Sequence, residues 1–176
     1  KQRFPVIDGD IVTAVGGDIG SGRREIGADG AVVAPGFVDV HTHYDGQATW
    51  DERLLPSAWH GVTTVVMGNC GVGFAPVVPE HHDRLIELME GIEDIPGTAL
   101  HEGLSWKWST FDDYLTALEA RPHDIDFAAQ VPHAALRVHV MGERAESGRA
   151  ATADDIAAMA KLARAKLEGI AVVIAA

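Results

Sequence analysis

Two histidines at the end of an apolar run constrain the fold of this chain more than any other feature. Residues 34–43 read APGFVDVHTH, and the run at Phe37–Val40 is typical of a strand in a parallel sheet that is covered on both faces. Side chains alternate along a strand, so His41 and His43 are expected to point to one side and Thr42 to the other. Two converging imidazoles suit a divalent metal such as zinc. A pair of structural histidines has the same spacing, so both interpretations stay open.

Strands and helices alternate along the chain after this pair. Further apolar runs predict strands at Val62–Met67, 125–131 and 170–174. Helices are predicted at 51–60, from Pro79 through Met89, after a cap at Ser109 or Thr110, and after Thr152, where Asp155 completes a capping-box pattern. The stretch from Gly91 to Trp108 reads as a long connection. This alternation predicts an α/β fold with a parallel sheet or barrel.

Residues 1–34 have a different character and are expected to form a separate domain from residues 35–176. They are rich in Gly and Asp, and Asp-Gly and Gly-Gly pairs between apolar runs are typical hairpin turns. The short runs at Val6–Ile7, Ile11–Val15, Ile26 and Ala31–Val33 predict a small antiparallel sheet that is incomplete.

Polar residues follow the ends of the later strands as well. Asn69 and Cys70 come directly after the second predicted strand, and His133 follows the third. In parallel α/β folds, functional groups collect at the carboxyl ends of the strands. A thiolate is a strong zinc ligand. A lone cysteine is also commonly a small buried apolar residue, although a glycine-flanked turn is expected to expose Cys70.

Composition excludes several classes of partner. The formal net charge of −12 over 176 residues argues against nucleic acid or an anionic membrane as the main partner. No apolar run is long enough to span a bilayer, and no charged and then apolar leader opens the chain. Cys70 is the only cysteine, which rules out an internal disulfide and suits a reducing compartment. We therefore expect a cytoplasmic protein.

Four segments resemble a known family. They are GFVDVHTHYD (residues 36–45), WHGVTTVVMGNCG (59–71), GIEDIPG (91–97) and QVPHAALR (130–137). Together they resemble the amidohydrolase superfamily, and in particular its N-acyl-D-amino-acid deacylases (D-aminoacylases). The His-x-His strand is shared across the superfamily, whereas Asn-Cys-Gly at the second strand is more specific to this branch.

The resemblance implies a fold and a metal centre. The fold would be the first half of a TIM-like (β/α)8 metal-dependent hydrolase barrel, over residues 35–176, preceded by part of a small β-sandwich domain over residues 1–34. His41, His43 and Cys70 would bind one or two zinc ions, with Cys70 replacing the carboxylated lysine of many relatives. The family takes its other histidine ligands and its catalytic aspartate from later strands, so the general base is expected beyond residue 176.

The resemblance also implies a reaction, the zinc-dependent hydrolysis of N-acyl-D-amino acids to a D-amino acid and a carboxylate. Tyr44, Asn69, His133 and Arg137 are candidates for the substrate side. The guanidinium of Arg137 suits a substrate carboxylate, and a surface ion pair is the competing interpretation. Asp45 is the acid nearest the ligands in sequence and is interpreted as a supporting residue.

Three alternatives remain open at this stage. One is another amidohydrolase that acts on a cyclic or linear amide, as a hydantoinase does. A second is a thiol amidase in which Cys70 is the nucleophile and His133 or His43 is the base; it would retain activity after chelation of metals. The third is a metal-binding fragment without turnover of its own.

Overall fold

The computed structural model of the chain describes residues 4–17 and 19–164. The predicted strand at 170–174 and the predicted end of the last helix at Gly169 lie outside the described residues. The chain divides into two compact units, the first ending at Pro35 and the second beginning at Gly36.

The first unit contains an antiparallel hairpin. Strand β1 (Phe4–Asp8) pairs with strand β2 (Ile11–Gly16), as the Asp-Gly turn predicts. The predicted strands at Ile26 and Ala31–Val33 are wrong, because neither segment is assigned to a strand in the described part of this unit. Val32 is 91% exposed. A β-branched run without a neighbouring strand has no partner for its backbone hydrogen bonds, and its residues are left outside the sheet.

The second unit is built on a parallel three-stranded sheet. Its strands are β3 (Phe37–Thr42), β4 (Val62–Met67) and β5 (Asp126–Ala129), in the order β3-β4-β5. Both pairings are parallel, so the three carboxyl ends lie at one edge, which we call the carboxyl edge. The α/β class and the places of these strands confirm the sequence prediction. β3 continues two residues further than its apolar run and includes His41.

Six helices accompany this sheet in the described residues: α1 (His82–Glu93), α2 (Gly97–Gly103), α3 (Phe111–Glu119), α4 (His133–Met141), α5 (Glu143–Glu146) and α6 (Ala153–Arg164). Single 3-10 turns lie at Gln47–Thr49, Ala58–His60 and Pro79–His81. None of the helices in this part of the chain is long and apolar enough to cross a lipid bilayer.

Three predicted helices are confirmed. The one predicted from Pro79 begins with the 3-10 turn Pro79–His81 and continues as α1, without a side-chain cap, and the other two, α3 and α6, begin at recognisable N-caps. Thr110 Oγ1 accepts from Asp113 N (3.1 Å) at the start of α3 while Asp113 Oδ2 accepts from Thr110 N (3.1 Å). Thr152 and Asp155 make the same reciprocal pair at the start of α6. Such a box satisfies two backbone N–H groups that a helix start otherwise leaves unpaired.

Other helix predictions need correction. The predicted helix at 51–60 is reduced to the turn at Ala58–His60, because Pro56 lacks an amide proton and interrupts helical bonding. The predicted connection from Gly91 to Trp108 contains the end of α1 and the whole of α2. α4 and α5 were not predicted. Between β4 and α3 the chain therefore makes a helical excursion, residues 68–110, in place of a plain loop.

The hydrophobic core of the second unit connects this excursion to the sheet. Val65 and Met67 of β4 are fully buried, as are Leu100 of α2 and Leu118 of α3. Trp108 Nε1 donates to Phe74 O (2.8 Å) within the excursion. The excursion is thus packed into the core, and residues that lie at its turns have defined positions relative to the carboxyl edge.

Candidate metal centre at the carboxyl edge

Three potential metal donors come together where β3 and β4 end. The donor atoms of His41, His43 and Cys70 all lie within 4.8 Å of one another. The two imidazole ring centroids are 5.3 Å apart. Thr42, between them, is buried, and its Oγ1 donates to Val66 O of β4 (2.9 Å). This bond holds the end of β3 against β4 through the side chain that faces away from the two imidazoles. Both imidazoles therefore stay near Cys70.

The turn that carries Cys70 depends on a glycine. Gly68 has φ +82°, and a Cβ at this position would collide with the carbonyl oxygen of Gln130, so no larger residue fits. Asn69 Nδ2 donates to Val40 O of β3 (3.1 Å). Asn69 therefore ties the turn to β3, and Cys70 is exposed beside the histidines, with Sγ 3.5 Å from His43 Nδ1.

A fourth side chain at this edge, Glu93, is not among the site residues that the sequence predicts. It is the last residue of α1, and its Oε1 lies 3.0 Å from His43 Nδ1, closer than the sulfur of Cys70. The side chains of His43 and Glu93 are 27% and 18% exposed. Glu93 lies in the segment GIEDIPG, which resembles the family but has no role assigned from the sequence. An acidic residue within that segment is the feature that could have indicated Glu93.

Acidic side chains lie close to the donors at the carboxyl edge. Asp45 is 3% exposed, and its Oδ2 has no hydrogen-bond partner among the described residues. Burial, with a smaller repulsion from Glu93, raises the pKa of Asp45 to about 7, against the opposing effect of hydrogen bonds from the backbone of Asp45 and Gly68. Burial and then the charges of Asp45 and Glu93 also raise the pKa of the Cys70 thiol. A bound cation favours the ionised form of each group.

The four residues predicted on the substrate side separate into two pairs. Asn69 belongs to the Cys70 turn, and His133 begins α4, whose Ala134 N donates to Gly71 O of that turn (2.7 Å). The other two are engaged elsewhere. Tyr44 Oη lies 2.6 Å from Ser57 Oγ. Arg137 Nη2 donates to Arg149 O (3.0 Å), a backbone bond in place of the ion pair weighed from the sequence.

The donor set fits a zinc ion. Two imidazoles and a thiolate are the ligand types that zinc prefers. Each donor stands at the end of a strand or in the turn that follows it, which is where parallel α/β proteins place their sites. With three donors from one chain, a bound ion keeps a coordination position for a further ligand or for substrate.

Comparison with known proteins identifies the family. The amidohydrolase family model matches residues 24–174. A D-aminoacylase from Alcaligenes xylosoxydans xylosoxydans is 37% identical over 159 residues, which is 89% of this chain and 30% of that protein. A D-aminoacylase structure, solved to study its binuclear metal centre, superposes with a TM-score of 0.67 at 40% identity, over 86% of this chain and 29% of that one.

A second solved structure adds a bound metal and inhibitor. It is an N-acyl-D-glutamate deacylase from Bordetella bronchiseptica in complex with zinc and a phosphonate inhibitor. It superposes with a TM-score of 0.64 at 32% identity, over 91% of this chain and 31% of that one. The chain thus spans about 30% of the length of the relatives it matches. On the family model and these relatives, the chain belongs to the amidohydrolase family.

Proposed function

We propose that this chain provides a metal-binding edge of a zinc-dependent amidohydrolase that converts N-acyl-D-amino acids to D-amino acids and carboxylates. The observation that carries the proposal is the convergence of His41, His43 and Cys70 within 4.8 Å at the carboxyl edge. The similar proteins include a D-aminoacylase and an N-acyl-D-glutamate deacylase bound to zinc, which supports this substrate class and this metal.

The proposal extends to the architecture. β3, β4 and β5 would be the first three strands of a (β/α)8 barrel, and residues 1–34 would be part of a β-sandwich domain. The parallel order β3-β4-β5 and the donors at its carboxyl edge support this assignment, because barrel enzymes place their sites at that end.

Each donor has a defined part in the proposed mechanism. His41, His43 and the thiolate of Cys70 would hold one or two zinc ions. Bound zinc supplies Lewis-acid polarisation of the acyl oxygen and lowers the pKa of water. Asn69 and His133, beside the Cys70 turn, are proposed to contact the substrate. Tyr44 and Arg137 are assigned less direct parts, because their polar groups have partners elsewhere.

The general base is not assigned to the described residues. Asp45 lies two residues after His43 in the sequence, yet its side chain is buried. Its backbone carbonyl oxygen accepts from Tyr114 Oη (2.6 Å). A base has to reach the water whose proton it takes. We therefore propose that Asp45 supports the loop that follows His43 and does not carry the proton.

The test uses the full-length protein and a panel of N-acetyl-D-amino acids with neutral, aspartate and glutamate side chains. Amide hydrolysis is expected for D-substrates, with loss of activity on exhaustive chelation and recovery on addition of zinc. N-acetyl-L-amino acids serve as the matched control for the substrate. Hydrolysis that persists after chelation would contradict a metal mechanism.

One contact favours a second candidate, a thiol amidase. Cys70 Sγ lies 3.5 Å from His43 Nδ1, a spacing that a nucleophile and its base could also have. Against it, burial and, to a smaller extent, the charges of Asp45 and Glu93 raise the pKa of the thiol, whereas a nucleophilic cysteine requires a lowered pKa. Iodoacetamide labelling separates the two: zinc protects Cys70 in a metal enzyme, and activity without zinc identifies a thiol enzyme.

A further inference from the structure

We infer that Glu93 is a positioning residue that fixes the orientation of His43 at the metal centre. The inference rests on the proposed metal-dependent function and extends it to a residue outside the three donors. Glu93 Oε1 lies 3.0 Å from His43 Nδ1, and the side chain of Glu93 is 18% exposed. A largely buried carboxylate at this distance is a strong hydrogen-bond acceptor for an imidazole N–H.

The turn after α1 holds Glu93 in place. Glu90 Oε1 accepts from Gly97 N (3.0 Å), which bridges the turn between α1 and α2. A Cβ at Gly97 would lie 2.8 Å from Glu90 Oε2, so the carboxylate of Glu90 lies close against the backbone at the start of α2. Asp94 within the turn has φ +54° and ends α1. Glu93 therefore sits on a helix end whose direction is fixed from both sides.

The other side of the contact is fixed through α2. A Cβ at Gly103 would lie 2.5 Å from the ring of Trp50, and one at Gly46 would lie 3.2 Å from Leu100. These approaches pack α2 onto residues 46–50, the segment that follows His43 and Asp45. Because α2 and residues 46–50 are packed together, the core restricts the distance between Glu93 and His43. That distance does not depend on the side-chain rotamers alone.

The chemistry assigns the two ring nitrogens of His43. A histidine that binds a metal commonly donates the N–H of its other nitrogen to a carboxylate, which fixes the tautomer and the ring plane. We assign the proton to Nδ1, which lies 3.0 Å from Glu93 Oε1, and the lone pair of Nε2 to the metal. Cys70 Sγ lies further from Nδ1, at 3.5 Å, so the carboxylate is its closer partner.

The experiment measures zinc binding by the full-length protein in competition with a chromophoric chelator. Glu93→Ala is expected to weaken zinc affinity by roughly 10–100-fold, the usual effect of removing such a partner. Glu93→Gln should weaken it less, because the amide oxygen still accepts the N–H. Glu102→Gln, on the exposed face of α2, is the matched control and should bind zinc as the wild type does.

A second measurement needs no variant. Nitrogen-15 NMR of imidazole-labelled, zinc-loaded wild-type protein is expected to show His43 with a protonated Nδ1 and a zinc-bound Nε2. Zinc bound at Nδ1 would overturn the inference, and so would equal zinc affinity of wild type and Glu93→Ala. If the wild-type protein binds no zinc, the proposed function fails together with this inference, whereas tight binding by both proteins rejects the inference alone.

Discussion

Two buried aspartates in the second unit have opposite electrostatic surroundings. Asp45, beside the metal donors, is 3% exposed, and Asp155, at the start of α6, is 7% exposed. Asp155 accepts from both terminal nitrogens of Arg144 (2.8 and 2.6 Å) and from Thr152. These contacts hold its pKa well below the usual range, whereas burial without a partner for Oδ2 raises the pKa of Asp45 to about 7.

The difference shows that the hydrogen-bonding partners of a buried acid, and not its burial alone, decide the direction in which its pKa shifts. Asp155 forms a complete network that joins α5 to α6 through Arg144. At the carboxyl edge, by contrast, the charge of Glu93 disfavours ionisation of Asp45, and both acids disfavour the thiolate of Cys70. No arginine or lysine contacts Asp45 there among the hydrogen bonds and ion pairs of the described residues. A cation at that edge would supply the missing positive charge.

Replacing a donor at the carboxyl edge should give the largest effect. We expect Cys70→Ala to weaken zinc affinity by more than about 100-fold, because loss of a ligand exceeds the 10–100-fold effect of losing an outer partner. Asp155→Asn, which changes the other aspartate, should leave zinc affinity unchanged. Chelator competition measures both. Equal affinity of wild type and Cys70→Ala would remove the metal centre from this edge.

Asp45→Asn should stabilise the chelated protein at pH 8. The pKa of Asp45 is raised on folding, so the favourable contribution of its protonated form is present below about pH 4 and is lost as the pH rises through about 7. A shift from 3.8 to about 7 corresponds to up to about 4 kcal/mol at pH 8. Urea unfolding at pH 4 and pH 8 measures the gain, and an equal gain at both values would contradict the assignment.

Asp155→Asn should destabilise the protein, with the opposite dependence on pH. The pKa of Asp155 is lowered on folding, so its carboxylate stabilises the fold above its ordinary value of 3.8, and this contribution is lost as the pH falls further. The stability difference between wild type and variant should therefore be larger at pH 7 than at pH 3. Denaturant unfolding at the two values measures it, and a difference independent of pH would argue against the ion pair with Arg144.

The two threonine caps give the smallest expected effect. Thr110→Ala and Thr152→Ala each remove a side-chain acceptor at a helix start, at a typical cost of about 1 kcal/mol. Thr152→Ala should cost more, because Asp155, whose Oδ2 accepts from Thr152 Oγ1 (2.8 Å), is also paired with Arg144, whereas Asp113 at the other cap is not paired with an arginine in the described contacts. Thermal unfolding of the two variants measures the difference. Equal costs would show that Asp155 does not depend on Thr152.

The sequence predicts the features of this fold that depend on neighbouring residues. β4 has the predicted bounds, and the caps of α3 and α6 follow from Thr110 and Thr152, because strand burial and N-capping are local. The convergence of His41, His43 and Cys70 could also be predicted, since parallel strands bring their carboxyl ends together.

Features that depend on residues distant in the chain could not be predicted from the sequence. Glu93 contacts His43, fifty residues earlier in the chain, through a helix end whose direction depends on Glu90, Gly97 and the packing of α2. The runs at Ile26 and Ala31–Val33 have strand composition, but composition does not supply a pairing strand. α2 was missed because Pro96 and Gly97 suggest a loop, whereas Pro96 directly precedes the helix.

The excursion between β4 and α3 has a consequence for how such a centre can diversify. His41 and His43 stand at the end of β3 and Cys70 in the turn directly after β4, whereas Glu93 reaches His43 from the end of α1, further along the excursion. Changes at the 94–96 turn would therefore adjust the orientation of one ligand while the strand register stays the same. The sheet and the contact to His43 can therefore be varied separately, and a library confined to residues 94–96 would sample zinc affinities while the carboxyl edge stays unchanged.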